Sequence, residues 1–119
     1  MTDHLEDADT WLTHAKDEKQ NHRVSASMAV HSMIKTLNAL FEEFLGEMPG
    51  RHDHATDYFK KMVDEGHLKP EESKYTNKIQ SMLQKKADVD YKASYFSKKD
   101  RDRMVKRAER LNKMAKKYL

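Results

Sequence analysis

No cysteine occurs in the 119 residues, so disulfides and thiol chemistry are excluded and a reducing compartment is expected. Glycine and proline are nearly as scarce, at three and two residues, which leaves few places for sharp turns. No apolar run approaches the ~20 residues needed to cross a bilayer. The opening stretch, MTDHLEDADTW, is acidic and lacks the apolar region of a secretion signal. No alternating apolar–polar run of useful length occurs, so no sheet is expected. These absences predict a soluble, cytoplasmic, all-α protein. It should be a single domain over residues 1–119 with a short tail at 1–3.

Helical periodicity is what the chain does contain. Val24 to Leu45 carries three formal charges in 22 residues. Val30, Met33, Ile34, Leu37, Leu40, Phe41 and Phe44 fall on one side of a helix there. A first helix is expected from about Asp3 to Gln20, burying Leu5, Ala8, Leu12 and Ala15, with Asn21-His22-Arg23 as a short connection. Gly46 and Pro49-Gly50 stop the central helix. A third helix is expected from Asp53, as N-cap, to Glu65, with Gly66 closing it. A fourth starts at Pro70 and frays between Ala87 and Tyr91. Asp88 to Phe96 lacks a period and reads as turn and loop. Ser97 and Asp100 approximate a capping box for a last helix that reaches Tyr118. Short connections between long amphipathic helices favour an up-and-down helical bundle of four long helices plus one shorter helix.

Chemistry-bearing patterns are few. His52, Asp53, His54 and Asp57 cluster, but no HExxH or cysteine pattern completes a closed metal site. Ser25, Ser27 and Ser32 lack the glycine-flanked elbow of a nucleophile. Glu42-Glu43 and Glu71-Glu72 read as helix surface and helix start. No glycine-rich phosphate loop exists, and no cofactor is expected. Two features remain. The first is the row His31, Lys35, Asn38 and Glu42 on the central helix, whose cation, imidazole and amide suit a phosphate or carboxylate. The second is the charge of residues 97–119, ten Lys/Arg against three Asp/Glu, set on an acidic body. That end can attract polyanions, with Lys98, Arg101, Lys106 and Arg110 as candidate nucleic-acid contacts. Its cations read as spread around the helix, with aromatics at Tyr95, Phe96 and Tyr118.

The order of these features resembles the HEPN domain family. RVSASMAVHSMIKTLNALFEEFLG is similar to the family's long second helix. Asp53-His54-Ala55 is similar to the start of its next helix, and LQKKADVDY to the end of its fourth, before the last amphipathic helix. The resemblance spans about residues 5 to 119. It implies a helical bundle, a homodimer, nucleotide or RNA binding, and a nucleotidyltransferase as partner protein. It also places His54 and Lys86 near the His31, Lys35 and Asn38 row as one anion-binding cleft. Ribonuclease members carry Arg-x(4–6)-His. No Arg here is followed by His at that spacing, and Lys85 and Lys86, with Asp90 and Tyr91 after them, stand at the matching place. The resulting expectation is a non-catalytic binding and dimerisation module. Its alternatives are a divergent ribonuclease using His31 or His54, and a helical adaptor binding an acidic protein or nucleic acid through the basic end.

Overall fold

The structure, a computed structural model, describes residues 3–51, 54–91 and 96–119, with the side chains of 87–91 outside that description. Five α-helices follow one another among the described residues: α1 Asp3–Asp17, α2 His22–Leu45, α3 Ala55–Asp64, α4 Tyr75–Tyr91 and α5 Lys98–Tyr118. A 3-10 turn, Pro70–Lys74, leads directly into α4. No strand occurs among the described residues, in agreement with the all-α expectation.

Helix α2 touches all four of the others, because it is apolar over most of its circumference. Val30, Met33, Leu37, Leu40 and Phe41 are fully buried, and each such side chain contributes about 1.5–3 kcal/mol of burial. Toward α1 the surface changes to small residues. Ser25 Oγ donates to the Ala15 carbonyl at 2.6 Å, and Ser32 Oγ donates to the Ala8 carbonyl at 2.8 Å. These contacts step by seven residues in opposite directions, so α1 and α2 are antiparallel. Small side chains let the two backbones approach closely. Both hydroxyls thereby tie α2 to α1.

Other pairs set the remaining directions. Arg101 meets Ser25 and Asn112 meets Thr36, an equal step on both helices, so α2 and α5 run parallel. Lys16 pairs with Glu109 and Asp9 with Lys116, so α1 and α5 are antiparallel. Helix α3 lies over the C-terminal end of α2, where Phe41 meets Tyr58 edge-on at 5.5 Å and Phe44 stacks on His67. The Lys69 N–H donates to the Tyr118 hydroxyl at 3.3 Å, which puts the start of α4 at the same end. Helix α4 therefore runs back along the bundle, and the topology is up-and-down with α3 as the short extra helix.

Element ends differ from the sequence reading where side chains intervene. Helix α1 stops at Asp17, since the Glu18 carboxylate accepts the N–H groups of Gln20 and Asn21. The Asn21 side chain then accepts the Val24 N–H, so His22 and Arg23 belong to α2 and not to a connection. Pro70 opens a tightened 3-10 turn before the α-helix proper. The backbone of Asp88–Tyr91 is helical, where a loop was expected. Ala87–Tyr91 holds no Gly or Pro, and each added residue gains a hydrogen bond. Residues 92–95 and Asp53 lie outside the described residues. Gly66, at φ +81°, closes α3 as expected, with its N–H donating to Val63 and that of His67 to Met62. Ser97 accepts the Asp100 N–H at 3.0 Å, the serine half of the capping box.

One side chain joins three helices. The Arg101 Nη2 donates to the carbonyls of Ala15, Lys16 and Glu18, and its Nε donates to Ser25 Oγ at 2.8 Å. The side chain is 14% exposed. Replacement by methionine (Arg101→Met) strips the last turn of α1 of its donors. We predict a loss of about 2–4 kcal/mol in urea unfolding. The exposed neighbour variant Arg103→Ala should stay within about 0.5 kcal/mol of wild type. Equal midpoints for the two variants would contradict this.

Candidate nucleic-acid interface

The row on α2 does not stand alone. Helix α1 presents His4, Asp7 and Trp11, spaced by three and four residues, along its edge. Trp11 stacks on His31 with centroids 5.0 Å apart, Lys35 Nζ lies 3.7 Å from Asp7 Oδ2, and His4 Nε2 lies 3.2 Å from Glu42 Oε2. His31, Lys35 and Asn38 are half-buried on this face. His54 is exposed at the N-cap of α3, and Lys86 is half-buried on α4. Of the four residues considered for metal, His52 and Asp53 lie outside the described residues. Among the described residues no group of three or more metal-ligating side chains occurs.

Helix α5 is organised differently from its composition. Met104, Ala108, Leu111 and Ala115 face the core. On the opposite side Lys99, Arg103, Lys106, Arg110, Lys113 and Lys117 follow at steps of four, three, four, three and four, and all six are exposed. At ~1.5 Å per residue this row is about 27 Å long. Among the described residues its one ion pair is Lys113 with Glu109, at 3.9 Å.

The acids Asp102 and Glu109 lie beside the row, not within it. Glu109 pairs with Lys16 of α1, whose hydrogen bond, against the opposing effect of burial, holds its carboxyl below the usual range; Lys113 and Lys106 add to this. Asp102 is lowered by its hydrogen bonds to Lys98 and then Arg101. Of the expected nucleic-acid contacts, Lys106 and Arg110 stand on the outer row. Lys98 is paired with Asp102 at 2.7 Å, and Arg101 is committed to the end of α1. Lys99, Arg103, Lys113 and Lys117 complete the row and were not among those expected contacts. Their heptad-like spacing was present in the sequence, but six of ten similar cations are not separable until the buried face is known.

A depressed carboxyl contributes stability above its unfolded value and loses it as pH falls through the folded one. The Lys16–Glu109 pair should therefore help at neutral pH and fade in acid. Glu109→Gln should lower the urea midpoint slightly at pH 7, within the ~0.2–1 kcal/mol of a surface pair. The difference from wild type should vanish toward about pH 3. A difference that persists or grows in acid would contradict the assignment.

The helix order and directions define an all-helical, up-and-down bundle with a short helix across one end. A family model, HEPN domain, matches residues 1–118, and the chain belongs to the HEPN domain family. No match was found among curated proteins or among solved structures.

Proposed function

We propose that this chain is a non-catalytic HEPN module that binds RNA through the outer row of α5. The exposed row of six cations carries this reading. Six like charges with a single ion pair among them repel one another, and a polyanion laid along them relieves that repulsion while releasing its own counterions. RNA is the favoured polyanion because HEPN domains are often related to nucleotides and RNA. The missing Arg-x(4–6)-His supports a binding role without cleavage. Lysine at the matching place can hold phosphate, but Asp and Tyr are residue types poorly suited to replace histidine in proton transfer near neutral pH.

The half-buried row on α2 is a weaker choice for an anion. Lys35 already faces Asp7 and His31 already stacks on Trp11, so an incoming phosphate would compete with contacts in place. Family members commonly dimerise, and a homodimer would present two such rows. Light scattering at micromolar concentration should give the dimer mass; a monomer mass removes that part of the proposal.

The test is fluorescence anisotropy with a labelled RNA across a salt series. If about five phosphates are neutralised, log K should fall against log salt with a slope near −3.5 for a single strand. Reversing two charges on the row, Lys106→Glu with Arg110→Glu, should weaken binding about tenfold or more at low salt. Folding should be unaffected because both side chains are exposed. A flat salt dependence, or full affinity in the double variant, would overturn the proposal.

A further inference from the structure

At its C-terminal end the basic row runs into a cleft. About 280 Å³ in volume, it lies between the 3-10 turn and the end of α5, lined by Lys69, Glu71, Glu72, Lys74, Lys117 and Tyr118. Lys117 is both the last cation of the row and part of this lining. The cleft is not uniformly basic. Lys69, Lys74 and Lys117 are exposed, whereas Glu72 is 9% exposed. Tyr118 shares this lining with Glu72, and its hydroxyl takes the Lys69 N–H. Burial pushes its phenol above the usual range, opposed by the Lys69 N–H and reinforced by the Glu72 and Glu71 carboxylates. Lys74 is steadied over the Tyr75 ring at 5.5 Å, and Lys78 lies 5.7 Å from the same ring.

We infer that the cleft receives one unpaired nucleotide of the RNA that lies along α5, its phosphate among Lys69, Lys74 and Lys117 and the N–H edge of its base toward Glu71 and Glu72. This rests on the RNA-binding reading of α5 and narrows it to RNA with a single-stranded part. Three cations suit a phosphate, and carboxylates accept hydrogen bonds from base N–H groups and repel phosphate. The mixed lining therefore fits a group that is anionic at one end and a donor at the other. In a duplex the Watson–Crick edges are already paired, and only an unpaired base can offer them. The shared Lys117 makes row and cleft one continuous path.

The experiment compares three labelled RNAs by anisotropy at low salt, using the full chain. They are a blunt duplex of about twelve base pairs, the same duplex with an unpaired overhang of about three nucleotides, and a longer blunt duplex matched in phosphates to the second. The overhang duplex should bind about fivefold or more tightly than either blunt one. Lys69→Ala with Lys74→Ala should bring the overhang duplex down to the blunt level and leave the blunt affinities in place. Glu72→Gln should reduce the same preference. Equal binding of overhang and matched blunt RNA by the wild-type chain overturns the inference without recourse to any variant, as does an unaltered preference in the lysine double variant. The α5 reading fails separately, through Arg103→Glu with Arg110→Glu leaving every affinity unchanged, and the overhang preference then decides the cleft alone. Binding of none of the RNAs overturns both.

Discussion

The bundle depends on how the last turn of α1 is terminated. A helix ends with carbonyls that have no partner within it, and the negative end of the helix dipole collects there. Asp17 is followed by no glycine, and the chain must reach α2 within four residues, 18–21. Arg101 supplies the donors from the first turn of α5, eighty-odd positions later. Three carbonyls and one serine hydroxyl are met by a single planar guanidinium. A lysine ammonium, with its compact charge, could not span that fan of acceptors. The same contact sets the rotation of α5. With Arg101 turned inward, Met104, Ala108, Leu111 and Ala115 must face the core, and the row Lys99 to Lys117 must face out.

Charge is sorted along the same line. Helix α5 has more cations than one side can hold, and its three acids sit among them. The acids Asp102 and Glu109 lie on the flanks, where Lys98, Arg101 and Lys16 meet them. Asp9 of α1 takes Lys116 at 3.0 Å. Neutralisation is thus concentrated at the edges of the helix–helix seam, and positive charge is concentrated on the outside. A basic helix that were only a solubilising surface would gain from interspersing its acids along the exposed face. The outer row of this helix contains none.

Local signals made the fold legible. The apolar period of α2, the serine cap at Ser97 and the glycines at 46 and 66 each act within a few residues, and the structure uses them as read. What was illegible depends on distant partners. Nothing in the run around Arg101 separates an internal cap from nine other cations, and its acceptors are set by the end of another helix. The row on α2 was visible, but His4, Asp7 and Trp11 become its neighbours only once α1 lies antiparallel. Serines 25 and 32 were visible in the sequence, but not as donors to α1. The candidate interface follows the same rule: its residues were named in part, and their face became known only with the burial of the opposite side.

Binding and cleavage of RNA ask different things of a site. Holding the backbone needs cations spaced along a line, and it tolerates exchange of one cation for another because each acts as a charge. Cleavage needs a group that gives and takes a proton near neutral pH, held within hydrogen-bond reach of the reacting oxygen. The outer row of α5 meets the first requirement with Lys and Arg alone and holds no histidine. The chain's seven histidines lie elsewhere, and those with described neighbours in the bundle are tied into packing: His31 on Trp11, His67 on Phe44, His4 beside Glu42. On the proposed reading, an RNA laid on α5 would therefore meet charge without an acid–base group in the row itself.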